Sequence, residues 1–365
     1  MEKNDVLIIH GTNYKEMVKQ VLEKADIAAE IPNKDAEIAL KPNLVTNCTP
    51  SDGGTTHPEL LSGSIEYLRE HGFHNIVIME GSWVGCGTQS AFKMAGYDKV
   101  CRQYDVPFVD LQKDSSTEYD CKGMKIRICD RAMKADYMIN MPVLKGHCQT
   151  VVTCALKNNK GIIPNSEKRR FHTLGLHKPI AHLNVIAPNS FILVDNICGD
   201  LDFEEGGNPV QMDRILGFKD PVLCDAFVCD CMGYDIDEVP YIGMAESLGI
   251  GSADTSKANL IYLNEAQDGK SKKFPLSYKV KGLARYTEPK DACSACYGSL
   301  IHALNRLNEN GELHKGLPKL AIGQGYKGES GEIGVGHCTN CFAKSLNGCP
   351  PKAADILAFL QDNWI

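Results

Sequence analysis

The chain has 365 residues, of which 43% are hydrophobic and 23% are charged, and its formal net charge is -7 at pH 7. This composition is typical of a globular protein with a large core, and the acidic balance argues against a nucleic-acid partner. No apolar run approaches the ~20 residues that cross a bilayer, and the N-terminus has no signal-peptide pattern. We therefore expect a cytoplasmic protein that binds neither nucleic acid nor membrane.

The first hundred residues alternate between strand and helix patterns. Strands are predicted at residues 5–10, 36–40 and 75–80, and helices at residues 14–30 and 58–71. This alternation predicts an α/β fold in which an open, mostly parallel sheet is flanked by helices. The carboxyl ends of the strands in such sheets usually bind the ligand.

Polar side chains follow two of these strands. Lys41 and Asn43 come at the end of the second strand, where Pro42 interrupts the strand pattern. Asn140 lies in an apolar strand broken by Pro142, and Lys145 and His147 follow it. Packing alone does not require so many polar groups beside a buried strand, so we expect them to meet in a binding site.

A second basic stretch comes directly after the first. It contains Lys157, Asn158 and Lys160, followed by the basic turn that ends at His172. Brought together, these groups would form a cationic site for an anionic small molecule, either a phosphate or a carboxylate. Lysines near other cations have lowered pKa values and histidines titrate near neutrality. We expect proton transfer from Lys145, His147, Lys157 and His172, and binding by Lys41, Asn43, Asn140, Asn158 and Lys160.

The same segments resemble those of the family named domain of unknown function 362. The resemblance rests on Lys-Pro-Asn at 41–43, Asn-Met-Pro-Val-Leu-Lys-x-His at 140–147 and Leu-Lys-Asn-x-x-Gly at 156–161, together with His172. Later segments around Asp195, Gly206 and Asp220 extend it to residues 5–250. The resemblance implies an α/β domain often found with iron–sulfur modules, and it implies no substrate.

An acidic, glycine-rich loop follows the strand that carries Asp195. Residues 199–208 hold four carboxylates, and three interpretations stay open for them. They could bind a hard cation such as Mg²⁺, face the cationic site, or lie in solvent as an ordinary loop. Asp195, at the carboxyl end of the predicted strand, is a further candidate for binding the substrate or cofactor.

Five cysteines mark the last seventy residues as a metal-binding region. They form two Cys-x-x-Cys pairs, Cys293 with Cys296 and Cys338 with Cys341, and a single Cys349 that precedes Pro350. A cysteine before proline is typical of ferredoxin clusters, and the proline pair opens a helix whose N-terminus stabilises a thiolate. We expect a 4Fe-4S cluster held by Cys293, Cys296, Cys338 and Cys349, with Cys341 as the alternative third ligand. A structural four-cysteine zinc site and a metal-free module are the other interpretations.

The order of these cysteines is similar to that in the small cluster-carrying subunits of nickel–iron hydrogenases and of respiratory complex I. The resemblance covers the tail alone and favours a four-iron cluster. The other cysteines of the sixteen, such as Cys224, are expected to be small buried hydrophobic residues, kept reduced in the cytoplasm.

The sequence predicts three segments and one main function. Residues 1–263 form the α/β ligand-binding domain, 264–292 a linker with an edge strand, and 293–365 a small α/β iron–sulfur module. The expected protein is an oxygen-sensitive reductase, served by a redox partner such as ferredoxin or a flavoprotein. An electron-transfer protein without its own substrate, and a lyase or isomerase with a structural or Lewis-acidic cluster, are the alternatives. The assembly state is open, with a homodimer among the alternatives.

Overall fold

The computed structural model of the chain describes residues 1–204, 206, 209–264 and 279–365. Two compact units divide the chain. Unit 1 comprises Met1–Arg169 and His177–Leu276, and unit 2 comprises Arg170–Leu176 and Ser277–Ile365. Residues 265–278 of the linker predicted at residues 264–292 lie outside the described residues, as do positions 205, 207 and 208 of the acidic loop.

The described strands are short, and most contain three to six residues. They are β1 (Asp5–His10), β2 (Ile38–Pro42), β3 (Ile76–Glu80), β4 (Phe108–Asp110), β5 (Ser116–Asp120), β6 (Lys125–Cys129), β7 (Tyr137–Met141), β8 (Lys145–His147), β9 (Val151–Thr153), β10 (Phe191–Asp200), β11 (Pro209–Phe218), β12 (Asn259–Tyr262), β13 (Thr287–Pro289), β14 (Leu320–Ile322), β15 (Ile333–Val335) and β16 (Lys344–Leu346).

Helices alternate with these strands along most of the chain. They are α1 (Tyr14–Ala25), α2 (Ile27–Glu30), α3 (Pro58–Glu70), α4 (Thr88–Met94), α5 (Tyr97–Tyr104), α6 (Asp130–Lys134), α7 (Ala155–Asn158), α8 (Asn165–Thr173), α9 (His177–Leu183), α10 (Pro221–Met232), α11 (Pro240–Ser247), α12 (Lys279–Ala284), α13 (Ser294–Glu309) and α14 (Ala353–Asn363).

Unit 1 is built on an eight-stranded, mostly parallel sheet, so the predicted α/β fold is confirmed. Its strand order is β12-β1-β11-β10-β7-β2-β3-β4. Only β11 runs antiparallel to its two neighbours, β1 and β10. Ile38 and Leu40 join one core cluster, and Ala39 between them is equally buried. Successive side chains point to opposite faces, so the sheet is covered on both faces, as parallel sheets require.

The structure changes two predicted boundaries in unit 1. The helix predicted over residues 14–30 is interrupted at Asp26, whose left-handed backbone (φ 57°) ends α1 and begins α2. The strand predicted to end near Asp195 continues as β10 to Asp200 because β11 pairs with it along most of its length. Asp195 therefore lies in the middle of β10 rather than at its end.

Unit 2 contains a small parallel sheet with the order β13-β14-β15-β16. Its core comes from apolar side chains of α13, including Leu300, Leu304 and Leu307, and from Ile356 and Leu360 of α14. The two helices pack against each other. Most of the cysteines of unit 2 lie in the segments that connect its short strands and helices.

Among the residues that the structure describes, no helix has both the length and the apolar character needed to span a membrane.

Gly63 allows α3 to approach α1 closely. A Cβ atom at Gly63 would lie 2.8 Å from the Lys15 carbonyl oxygen and 2.9 Å from Val18 Cβ. Gly63→Ala should therefore lower the free energy of unfolding by about 1–3 kcal/mol through overpacking. Gly243→Ala in α11 meets open space and should be neutral or stabilising by about 0.5–1 kcal/mol. Urea titration checks both variants, and equal effects would contradict this account of the α1–α3 contact.

Candidate functional site

The carboxyl ends of two neighbouring strands, β2 and β3, bring together the first charged pair of the site. Lys41 at the end of β2 lies beside Glu80 at the end of β3, and Lys41 Nζ is 2.6 Å from Glu80 Oε2. Both side chains are buried. Burial raises the pKa of Glu80 and lowers the pKa of Lys41, and each charge opposes the shift of the other. Lys41 is thus held in a buried ion pair with Glu80 and is not a free lysine in a binding site.

Two glycines, Gly81 and Gly161, pack closely around Glu80. A Cβ atom at Gly161 would lie 1.8 Å from Glu80 Oε1, so only glycine fits at the end of the Leu-Lys-Asn-x-x-Gly segment. Lys168 Nζ donates to the Gly81 and Ser82 carbonyl oxygens at 2.6 and 2.9 Å. Burial lowers the pKa of Lys168 to about 8, against the raising effect of Glu80. Lys168 thus holds the turn that follows β3.

Lys145 begins a chain of buried amides. Its ammonium group donates to Asn43 Oδ1 at 2.7 Å. Asn43 Nδ2 then donates to Asn158 Oδ1 at 2.8 Å, Asn158 Nδ2 to Asn140 Oδ1 at 2.7 Å, and Asn140 Nδ2 to Asn189 Oδ1 at 2.9 Å. Because an ammonium group only donates, Asn43 must present its oxygen, and this fixes the orientation of each following amide. Such a chain polarises each of its hydrogen bonds.

Two backbone carbonyl groups complete the surroundings of Lys145. Gly54 O and Glu204 O accept from Lys145 Nζ at 2.5 and 2.8 Å. Burial lowers the pKa of Lys145 to about 8. The structure therefore places Lys145, Asn43, Asn140 and Asn158 in one network, as the sequence predicts for a shared site.

Glu204 of the acidic loop faces the cationic side chains. Glu204 Oε2 lies 2.7 Å from Lys157 Nζ and 2.8 Å from His147 Nε2. Burial raises the pKa of Glu204, but the nearby cations lower it further, so the carboxylate stays ionised. Its side chain retains 21% of its exposure, so solvent reaches this point. Of the three interpretations of the loop, the structure supports the one in which it faces the cations. We call Lys145, His147, Lys157, Lys160 and Glu204 the lysine cluster.

The tautomer of His147 follows from its hydrogen bonds. The backbone N–H groups of Gln149 and Thr150 both donate to Nδ1 at 3.0 Å, so the ring proton lies on Nε2, which points to Glu204 without regular hydrogen-bond alignment. Burial lowers the pKa of His147 to about 4. His147 is therefore a neutral N–H donor near pH 7 and not an imidazolium ion. Burial likewise lowers the pKa of Lys160 to about 7, helped by the positive charge of Lys157.

Asp195, which the sequence predicts to bind the substrate or cofactor, pairs with a histidine in the structure. Its Oδ2 atom accepts from the backbone N–H of His57 at 2.7 Å and lies 2.8 Å from His57 Nδ1. Burial lowers the pKa of His57, but Asp195 outweighs it and raises the pKa to about 10. Asp195 thus has a histidine as its partner instead of a direct place in the lysine cluster.

His172 falls in the short segment of unit 2 that includes Arg170–Leu176. The neighbouring Thr173 carbonyl oxygen accepts from Gln324 Nε2 at 3.0 Å, and the same nitrogen donates to Cys293 Sγ at 3.4 Å. The structure therefore groups His172 with the cysteine module, whereas the other predicted Lys and His residues belong to unit 1.

The tail cysteines surround one end of the unit 2 sheet. Cys293 caps α13 and Cys296 lies in its first turn. Burial raises the pKa of Cys296 to about 12, and the charges of Cys293, Cys349 and Cys338 add to this effect. Cys293, Cys338 and Cys349 each come after a strand of the parallel sheet, namely β13, β15 and β16. Cys341 is exposed and its thiol contacts its neighbour Asn340.

The spacing of these sulfur atoms bears on the kind of metal centre. No three of the five tail sulfurs, all of which are described, lie within 4.8 Å of one another. Ligands of one tetrahedral zinc ion lie about 3.8 Å apart, given a Zn–S bond of ~2.3 Å. Thiolates of a four-iron cluster bind different irons and so lie farther apart. These sulfur atoms are therefore not arranged as the ligands of a single tetrahedral ion.

Three site residues were not singled out in the sequence. Glu80 and Asn189 join the network only through tertiary contacts, and His57 meets Asp195 from a distant loop. Glu204 and Lys168 belong to the acidic loop and the basic turn that the sequence marks. Glu80 follows a buried strand in the pattern that singled out Lys41, so its position was a usable signal. Nothing local in the sequence marks Asn189.

Comparisons with known proteins match the larger part of the chain. A family model described as a domain of unknown function (DUF362) matches residues 38–230, more than half of the chain. Thylakoid-associated protein sll1697 of Synechocystis sp. is 24% identical over 220 residues, which cover 58% of this chain and 68% of that protein.

One solved structure shows a weaker likeness. The lactate racemase apoprotein of Thermoanaerobacterium thermosaccharolyticum matches with a TM-score of 0.41 and 17% identity. The match covers 62% of this chain and 56% of the racemase, so the chain spans little more than half of that protein. At this level of similarity, no statement on activity follows from the match.

Removing one member of the Lys41–Glu80 pair should leave an uncompensated buried charge. We expect Glu80→Gln to lower the free energy of unfolding by about 3–5 kcal/mol. Glu70→Gln, which breaks the exposed pair with Lys19, should cost no more than about 1 kcal/mol. Denaturant titration of both variants measures the difference, and a Glu80→Gln protein as stable as the control would show that Lys41 is neutral in the fold.

Proposed function

The chain belongs to the DUF362 family, and we propose that it is a cytoplasmic iron–sulfur reductase that binds an anionic small molecule at the lysine cluster. The observation that carries the proposal is the placement of four thiols in unit 2: Cys293 and Cys296 lie at the start of α13, and Cys338 and Cys349 lie in the segments that follow β15 and β16. Cysteines used only for packing have no reason to converge from three separate loops. A 4Fe-4S cluster held there would give or take one electron at a time.

Residues around the thiols support this assignment. Gln324 Nε2 donates to Cys293 Sγ at 3.4 Å, and hydrogen bonds to cluster sulfurs are a common way to adjust the reduction potential. Gly336 leaves room beside Cys296, whose sulfur would lie 3.9 Å from a Cβ atom at that position. Cys349 is exposed, so a redox partner such as ferredoxin or a flavoprotein could approach this side of unit 2. The order of the cysteines resembles that of hydrogenase and complex I subunits.

The lysine cluster supports an anionic substrate. The Glu204 carboxylate occupies the position between Lys157 and His147 that a substrate carboxylate or phosphate would take. Glu204 is thus an internal stand-in for the substrate, and binding of an anion would displace it. Lys145 and Lys160, with pKa values near 8 and 7, would deliver protons to a reduced product near neutral pH. His147 would donate its Nε2–H group as a neutral hydrogen-bond donor.

The state of the cysteines supports the cytoplasmic location. All sixteen are free thiols in the structure, which suits a reducing compartment.

The cluster is tested by anaerobic purification with absorption spectroscopy and metal analysis. We expect a brown protein with about four iron atoms per chain. Cys349→Ser should lose most of the iron and the visible absorption, whereas Cys341→Ser should keep both, since Cys341 lies exposed beside Asn340. The opposite result for the two variants would overturn the ligand choice. A colourless protein with one zinc ion would overturn the reductase proposal.

The anion site is tested with sulfate, whose charge does not change near neutral pH. Glu204→Gln should bind sulfate at least about tenfold more tightly than the original chain, because a competing carboxylate is removed from beside Lys157. Glu16→Gln removes an exposed carboxylate and should leave the affinity unchanged. Isothermal titration calorimetry measures both, and unchanged affinity in Glu204→Gln would rule out an anion site at this position.

Sulfate binding should also depend on pH in a stated direction. Lys145 carries its charge below its pKa of about 8 and loses it above. Sulfate affinity in Glu204→Gln should therefore fall as the pH rises from about 7 to about 9. An affinity that is constant across this range would show that Lys145 makes no charge contribution to the site.

A further inference from the structure

A cysteine, a histidine and a carboxylate form a relay at the middle of β10. Asp195 Oδ2 lies 2.8 Å from His57 Nδ1, and Cys198 Sγ lies 3.9 Å from His57 Nε2. The two partners use opposite nitrogens of the imidazole ring. Asp195 is fully buried and the His57 side chain keeps 12% of its exposure. A carboxylate, an imidazole and a thiol in this order are the parts of an activated cysteine nucleophile.

An irregularity in the sheet accompanies this arrangement. Residues three apart in a regular strand point to opposite faces, yet Asp195 and Cys198 both reach the same imidazole. The pairing of β10 with β11 shifts register between Asn196 and Cys198. The extra residue falls on β11, where Asp213 has a left-handed backbone (φ 50°). Such bulges re-aim side chains and occur often beside active sites.

The loop that carries His57 is held to β10 at several points. Cys198 Sγ lies 3.4 Å from the Pro50 carbonyl oxygen, and the Asp200 N–H group donates to Gly53 O at 3.1 Å. Gly53 has a φ of 81°, and a Cβ atom there would lie 2.5 Å from the Asp200 nitrogen. The backbone N–H of His57 donates to Asp195. The imidazole is therefore fixed in place before any substrate arrives, as catalysis by positioning requires.

The charge state of His57 suits this role. The Asp195 carboxylate outweighs burial and raises the pKa of His57 to about 10. An imidazolium ion whose Nε2 atom faces the Cys198 sulfur at 3.9 Å carries the proton that a leaving group needs.

We propose that Cys198 and His57 are the catalytic residues of a second, thiol-dependent site that takes an activated acyl group, an ester or thioester, with Asp195 as the positioning residue. The Cys198 sulfur forms a bond to the acyl carbon and the bond from that carbon to its leaving oxygen or sulfur breaks. His57 Nε2 gives its proton to the leaving group. Water or another acceptor then takes the acyl group and returns a proton to the imidazole, so no oxidant or reductant is needed.

Tyr14 and Gln211 are partly exposed neighbours of this site. Tyr14 is half-buried, with its ring 6.1 Å from the His57 ring. Its hydroxyl donates to Asp213 at 2.7 Å. Gln211 is exposed and pairs with Cys198 across the two strands. The His57 side chain keeps 12% of its exposure, so solvent reaches the imidazole. This site requires neither the iron–sulfur cluster nor the lysine cluster.

The test uses p-nitrophenyl acetate and the full chain purified anaerobically. We expect a burst of about one equivalent of p-nitrophenolate, with the acetyl group on the peptide that contains Cys198 by mass spectrometry. His57→Gln should slow the burst at least tenfold, with partial recovery on addition of imidazole. Cys129→Ser, a change at a buried cysteine in β6, should leave the burst unchanged.

A measurement on the unaltered chain covers the case in which His57→Gln does not fold. Cys198 is 2% exposed, whereas Cys86 is half-buried, so exposure alone would favour acetylation of Cys86. We expect Cys198 to be acetylated at least tenfold faster than Cys86. Acetylation that follows exposure instead, or a folded His57→Gln chain as fast as the original, would overturn the proposal. Neither result bears on iron content or sulfate binding, which test the reductase proposal separately.

Discussion

Unit 1 depends on the neutralisation of ammonium groups that lie at the carboxyl edge of its sheet. Lys41, Lys145, Lys157 and Lys168 are all buried, and burial of an uncompensated charge costs several kcal/mol. Each one therefore has acceptors from distant parts of the chain. Carboxylates balance Lys41 and Lys157, and carbonyl and amide oxygens surround Lys145 and Lys168.

This constraint explains features that otherwise look unrelated. The amide chain from Asn43 to Asn189 exists because a lysine at one end needs an oxygen acceptor, and each amide that supplies one must itself be paired. Gly161 must lack a side chain because the Glu80 carboxylate fills that space. Glu204, from an acidic loop, supplies the carboxylate beside Lys157. The motif segments of the family are thus parts of one charge-compensated network. The partly exposed Glu204 carboxylate completes this network, and the anion site that we propose lies at that point.

The loop from Thr46 to His57 connects two kinds of chemistry within unit 1. Gly54 O accepts from Lys145, and His57, three residues later, pairs with Asp195. This short, glycine-containing loop can hold both contacts in place because its backbone is hydrogen-bonded to β10. Unit 2 has a different organisation, in which loops around a small parallel sheet bring thiols together. The soft sulfur ligands there suit iron or zinc, whereas the hard ammonium and amide groups of unit 1 suit an oxyanion.

The sequence by itself determined the alternation of elements, the α/β class, the strand-end position of Lys41 and Asn43, and the grouping of the tail cysteines. These features follow from local patterns of burial and spacing, which a single sequence carries. Only the tertiary structure decided the partners. Glu80 pairs with Lys41, Glu204 pairs with Lys157, and Asp195 pairs with His57, since ion pairing in a low-dielectric interior depends on which side chains meet across the sheet. The extension of β10 and the shift of register between Asn196 and Cys198 likewise arise from pairing with β11, a contact that no local pattern specifies.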